Sequence, residues 1–233
     1  MNLTNAIQRC LFGIFAATVV STAAQAAEKG PHVVELFTSQ GCSSCPPANA
    51  NLIELARRED VLALSYSVTY WDYLGWKDIF GKEAFTNRQV AYEPALGERG
   101  PFTPQMVIDG RVSTVGNRLS QVEDLLDDAA THHGPQVALA EGHVTIGSGD
   151  APAGGADVWL VRYDPDVVRV PVARGENKGH TLPHTHVVHD LLRLGSWDGK
   201  QMKLAIPGSA GALRTAVLVQ APNGGPILAA VTD

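Results

Sequence analysis

Val33-Val34-Glu35-Leu36-Phe37-Thr38-Ser39-Gln40-Gly41-Cys42-Ser43-Ser44-Cys45-Pro46-Pro47 passes from a strand-like run to a helix start through a pair of cysteines. The β-branched and apolar content of residues 33–38 predicts a buried strand, and Gly41 marks the turn after it. Proline is tolerated in a helix only in the first turn, where its missing N–H would have had no partner. Pro46 and Pro47 therefore predict a helix that opens near Ser43 or Ser44, with Cys42 at or beside the N-cap. There the positive end of the helix dipole and the free N–H groups stabilise a thiolate, the form of cysteine that attacks disulfides. Cys45, one turn further on, is placed to resolve a mixed disulfide.

Downstream of this stretch the periodicity predicts, in order, a helix with Leu52 and Leu55 on its apolar face, a strand over 61–68, an aromatic segment over 70–80, and a helix over 82–96. Two strands follow around Asp109-Gly110, a dipeptide that supplies the positive φ of a tight hairpin turn. A last helix is expected from Ser120, where Ser120-Gln121-Val122-Glu123 has the form of a capping box. This β-α-β-α-β-β-α order is the thioredoxin arrangement, and it rests on periodicity and turn chemistry alone. Thr103-Pro104 lies just before the third strand, where thioredoxin-like proteins set a cis-proline loop against the cysteine pair, so a cis bond is expected there.

Beyond Gly134 the runs 136–146, 156–163, 167–173, 185–191, 201–206, 213–220 and 226–231 are short and strand-like, separated by Gly, Pro, Asn and Asp clusters. They predict a small β-sandwich. The expected organisation is thus a signal peptide over 1–26, an α/β thioredoxin-like domain over 27–134, and an all-β domain over 135–233.

Arg9, the apolar run over 11–20 and the A-x-A form of Ala24-Gln25-Ala26 read as an export signal cleaved after Ala26, giving a periplasmic or secreted protein. Cys10 would leave with that signal, so Cys42 and Cys45 would be the two cysteines retained, in a compartment that permits disulfides. Removing 1–26 leaves 17 basic against 24 acidic side chains, a net charge of −7. So acidic a chain lacks the basic stripe that neutralises phosphates, which excludes nucleic acid as an expected partner. No apolar run approaches the roughly 20 residues of a spanning helix.

The segments Glu35 to Ala48, Tyr70-Trp71-Asp72-Tyr73-Leu74-Gly75-Trp76-Lys77-Asp78 and Thr103-Pro104-Gln105-Met106-Val107-Ile108-Asp109-Gly110 resemble the signatures of the secreted bacterial family catalogued as domain of unknown function 1223. The likeness continues more weakly through Arg174-Gly175-Glu176-Asn177. It implies a thioredoxin-like fold and leaves the activity open.

The leading functional expectation is an exported thiol-disulfide oxidoreductase. Cys42 would be its nucleophile and Cys45 its resolving thiol, with protein or small-molecule thiols and disulfides as partners and no bound cofactor. Glu35, seven positions before Cys42, is a candidate acceptor for the proton of the second thiol, against a solvent-facing carboxylate as the alternative. Pro104 with Thr103 would present backbone to a substrate. Trp71, Asp72 and Trp76 would wall its groove or, on the alternative, pack a secondary core. A structural disulfide and a metal site compete for the cysteine pair. His184 and His186 would share one face of a strand and could chelate a metal, alone or with the thiols in a metallochaperone. A non-catalytic binding protein on the same scaffold is the third class.

Overall fold

The computed structural model describes residues 30–130, 132–208 and 211–233. The expected signal segment, with Arg9, Cys10 and the Ala26 cleavage site, lies outside them. The first half follows the predicted order: β1 (His32–Thr38), α1 (Pro46–Leu55), β2 (Val61–Ser67), α2 (Glu83–Leu96), β3 (Gln105–Ile108), β4 (Val112–Thr114) and α3 (Leu119–Asp127). The second half is β5 (Val137–Ala140), β6 (His143–Ile146), β7 (Ala156–Pro171), β8 (Thr181–Trp197), β9 (Met202–Ala205), β10 (Arg214–Gln220) and β11 (Ile227–Thr232).

These strands correct the expected fold class. An α/β thioredoxin-like domain followed by a separate all-β sandwich is not what forms. A single eight-stranded mixed sheet runs β11-β10-β7-β8-β2-β1-β3-β4, and a three-stranded sheet, β5-β6-β9, stands beside it. The join is β8, which lies parallel to β2 at the Ser65/Val187 pair. Asp164-Pro165-Asp166 predicts a break between two short strands, but β7 passes through it by a register shift between Asp164 and Val167 and stays paired with β8. An irregularity of this kind bends a strand without ending it. The result is two strands of 16 and 17 residues, too long to close into a small sandwich.

Alternation along the strands divides the core. One face of the large sheet carries Val33 and Phe37 of β1, Leu64 and Tyr66 of β2 and Leu218 of β10, and it is covered by Phe85 and Tyr92 of α2. On the other face, Val34, Leu36, Met106 and Ile108 pack against Leu52 and Leu55 of α1 and Val122 and Leu126 of α3. Further along that face Val158, Leu160, Val217 and Val219 meet Val144 and Ile146 of the small sheet. β1, β2 and β10 therefore read as near-continuous apolar sequence, because both of their sides are buried.

The turn chemistry holds at Asp109-Gly110, whose φ values of 50° and 64° are both in the left-handed region that a two-residue hairpin needs. Two helix starts differ from expectation. Helix α3 is capped at Arg118 with no side-chain cap, so the Ser120/Glu123 box does not form. Helix α1 begins at Pro46 with Cys45 at the N-cap, three residues later than the N-cap expected for Cys42.

Candidate functional site

Cys42 and Cys45 are joined by a disulfide with their Cα atoms 5.5 Å apart. The loop that carries them leaves the C-terminal end of β1, and Cys45 accepts the first helical bond of α1 from the Asn49 N–H (3.1 Å). Cys42 sits one turn ahead of the helix, closed by a bond from the Cys45 N–H to its carbonyl (3.3 Å). The helix dipole therefore acts most directly on Cys45. The Ser44 hydroxyl, with Oγ 3.3 Å from the Cys42 Sγ, can donate to that sulfur. The same hydroxyl lies 3.4 Å from the Thr103 carbonyl. The Thr103–Pro104 bond is cis, as expected.

Both cysteines are fully buried, so the Cys42 expected as nucleophile is shut off from solvent in this state. They belong to none of the three apolar cores. What covers them is polar loop. At the tip of the β7–β8 hairpin, Asn177 donates through Nδ2 to the carbonyls of Gln40 (3.0 Å) and Cys42 (2.8 Å). Next to it, the Glu176 carboxylate accepts the Ser43 N–H at 3.0 Å, and hydrogen bonds from Ser43 hold its pKa below the ordinary carboxylate value. Gly175, with φ of 77°, lets this tip pass close to Gly41 and the Trp76 side chain.

The aromatic segment buttresses the other side. Trp71 donates from Nε1 to the Thr103 hydroxyl (2.7 Å), and Trp76 donates to Gln40 Oε1 (2.9 Å). Asp78 is buried and takes the Gln40 N–H on one oxygen (2.8 Å) and the Phe80 N–H on the other (2.9 Å). Burial raises its pKa despite those bonds. Asp72 stands one step back, accepting the Asp78 N–H at 3.1 Å. It supports the wall and does not line it. The structure thus brings Cys42, Cys45, Thr103, Pro104, Trp71 and Trp76 together. It adds Gln40, Asp78, Glu176 and Asn177, which sequence reasoning did not single out as site residues. Arg174 to Asn177 carried a signal in its weak family likeness: the sequence reads there as a turn, with a contact between the two halves of the chain as the alternative, and it makes that contact.

Glu35 is not at the site, and the proton-relay expectation is corrected by geometry. It faces the same side as Val33 and Phe37, under α2, whereas α1, the helix that the cysteine loop opens, lies over Val34 and Leu36. Its carboxylate is held by Arg88 in a two-pronged pair (2.6 and 2.9 Å) and by the Tyr92 hydroxyl.

His184 and His186 also part company. His186 has φ of 46°, which breaks the alternation that would align them. Its ring lies against Tyr163, with Nδ1 2.9 Å from the Ala63 carbonyl. His184 is buried against Phe80 and neither of its nitrogens has a hydrogen-bond partner. Burial pulls its pKa down to about 4. Because this native value lies below the ordinary 6.5, the unfolded chain takes the proton first as pH falls. The stability held by neutral His184 is complete above pH 6.5 and is lost between there and about pH 4. The loss is on the order of 3 kcal/mol. Urea unfolding of His184→Leu should show a shallower decline across that window than the unsubstituted protein, and parallel declines would contradict it.

Residues 33–220 match the model of the family described as "Protein of unknown function (DUF1223)". The chain belongs to this family. Among solved structures, this chain is similar to the crystal structure of protein AGR_C_4864 from Agrobacterium tumefaciens, 33% identical, covering 89% of this chain and 95% of that one, with a TM-score of 0.72. HBP35 of Porphyromonas gingivalis shares the fold at 16% identity and a TM-score of 0.58, over 88% of this chain and 75% of that one. A search of curated proteins finds no match. Among the described residues of this DUF1223 member, no helix is long and apolar enough to cross a membrane.

Proposed function

We propose that this protein exchanges disulfides with exported thiol partners through Cys42 and Cys45, after the segment 174–177 swings away from them. The observation that carries the reading is the nature of the cover. This disulfide lies outside all three apolar cores, under a hairpin tip held to the cysteine loop by hydrogen bonds that Asn177 donates and Glu176 accepts. Such a tip separates without disrupting apolar packing.

In the oxidised protein, a partner thiolate attacks the Cys42 sulfur and breaks the bond to Cys45, which leaves as a thiolate beside the helix start and then takes a proton. A second partner thiolate attacks the partner sulfur of the mixed disulfide and releases Cys42. The partner is left with a disulfide and the protein with two thiols, a transfer of two electrons with no other cofactor. The Ser44 hydroxyl donates to Cys42 as charge collects on it, and Trp71, Trp76 and Thr103 rim the groove that the departing tip uncovers. The signal-like sequence ending at Ala26 supports an oxidising, exported setting.

Full burial favours one second reading, a purely structural bridge. A loop this small constrains the unfolded chain by only about 2 kcal/mol. The two readings are separated by equilibrating folded protein in a glutathione redox series and counting alkylated thiols. Exchange predicts a reversible two-thiol transition while near-ultraviolet circular dichroism stays native, and Cys42→Ser abolishes it. A bridge that opens only when the protein unfolds would overturn the proposal.

A further inference from the structure

His32, the first residue of β1, Asp109 in the β3–β4 turn and His132 between α3 and β5 bring two imidazoles and a carboxylate together, with one ligand atom of each within 4.8 Å of the others. They are far apart in sequence and stand at the opposite end of β1 from the cysteines, about 20 Å away along seven strand residues. The arrangement is oriented from behind. Asp109 accepts the Val33 N–H on Oδ1 (2.7 Å), which fixes the plane of its carboxylate. His132 places Nδ1 3.1 Å from the Ile227 carbonyl. A carbonyl oxygen can only accept, so Nδ1 carries a hydrogen; in the neutral ring, the form that binds a metal, the Nε2 lone pair is then free. Without a metal, burial works against a charged ring, but the neighbouring Asp109 carboxylate outweighs it, raises the ring's pKa and favours a second proton there.

That Nε2 is buried, has no hydrogen-bond partner, and stands 3.2 Å from Asp109 Oδ1 in a direction that makes no hydrogen bond. A ring nitrogen and a carboxylate oxygen this close, with no hydrogen bond between them, stand as two ligands that share a third centre do once the ring is neutral. Ligands about 2.0–2.1 Å from a tetrahedral Zn²⁺ stand roughly 3.3 Å apart, which the His132–Asp109 pair already meets. His32 is closer, with Nδ1 2.6 Å from Asp109 Oδ2. Its side chain is partly exposed, at the start of a strand where the opening of roughly 0.7 Å to that ligand spacing is available. A carbonyl behind one imidazole and a backbone N–H behind the carboxylate are the outer partners that ligating groups use.

We propose that His32, Asp109 and His132 form a binding site for one divalent transition-metal ion of the Zn²⁺ type, with a fourth position open on the His32 side. The site ties β1, the β3–β4 turn, the α3–β5 connection and the start of β11 into one end of the sheet. It does not use the cysteines, so it stands or falls separately from disulfide exchange.

Titration of the metal-free, full chain with Zn²⁺ against a chromophoric chelator should show one equivalent bound. The affinity should drop at least tenfold in His132→Gln and in His32→Gln, the second lying at the partly exposed rim, where substitution spares the fold. The Cys42→Ser/Cys45→Ser double variant should bind as the unsubstituted chain does. Co²⁺ in place of Zn²⁺ should give the intense visible bands of a four-coordinate site, and these should vanish in His32→Gln. Absence of stoichiometric binding, or binding lost in the cysteine variant and kept in folded His32→Gln, would overturn the assignment.

Discussion

Arg88→Met is expected to lose 3–5 kcal/mol of folding stability, roughly the cost of leaving one member of a buried ion pair uncompensated. In a protein of this size that lowers the unfolding midpoint by about 10 °C. Glu35 and Arg88 are both buried, and the guanidinium is enclosed by the Tyr66, Tyr92 and Trp159 rings at 5.4–5.7 Å. Burial works against the Arg88 charge, but Glu35, Tyr92 and Tyr66 facing it outweigh that effect, so it stays protonated above its ordinary range. Removing the cation leaves the Glu35 carboxylate with only the Tyr92 hydroxyl, and it strands Gln220, whose Oε1 accepts from Arg88 at 3.2 Å. Glu35→Leu/Arg88→Met removes both charges and should recover most of the loss, because apolar replacement of a whole buried pair is often neutral or better. Thermal unfolding of the two variants checks this. An Arg88→Met loss below about 1 kcal/mol would show the pair to be solvated.

The position of Glu35 was legible with one further step. Period-two alternation places it with Val33 and Phe37, while a helix that follows β1 and packs on Leu36 must lie on the other side. The strand, the proline-marked helix and the Asp109-Gly110 turn were all readable because their signals are local: a proline that tolerates one helix position, a dipeptide that tolerates positive φ. What merges the two halves of the chain has no such signal. The β8-to-β2 contact rests on Ser65 and Val187, 122 positions apart, and β7 continues across Asp164-Pro165-Asp166 because its pairing with β8 outweighs the local break. The same limit hides the cover of the disulfide. Asn177 finds Cys42 across 135 positions, and only the path of two long strands brings its amide there. The N-cap, by contrast, was legible with one further step: with Cys42 as N-cap the two prolines would be the fourth and fifth helical residues, whose N–H groups are needed, whereas Cys45 as N-cap puts them at the first two, whose N–H groups are free.

Asn177→Ala should speed reduction of the Cys42–Cys45 disulfide by a small dithiol by roughly 30-fold while leaving the folded state intact. The amide makes two hydrogen bonds to the cysteine loop, to the Gln40 and Cys42 carbonyls, each worth about 1 kcal/mol net. Losing them lowers the free energy of lifting the tip by about 2 kcal/mol. If opening equilibrates faster than the attack of the reductant, the observed rate rises by the same factor as the open population. Glu176→Gln should act in the same direction but more weakly, because its contact with the Ser43 N–H is exposed to solvent and a neutral amide oxygen still accepts it. The rate is read by quenched alkylation at several reductant concentrations. A bridge opened only by global unfolding would respond to Asn177→Ala no more than the change in overall stability dictates, and Arg88→Met would then accelerate reduction further than Asn177→Ala does. A local gate gives the reverse order: the hairpin-tip variant dominates the rate, and the buried-pair variant, although far less stable, leaves it nearly unchanged.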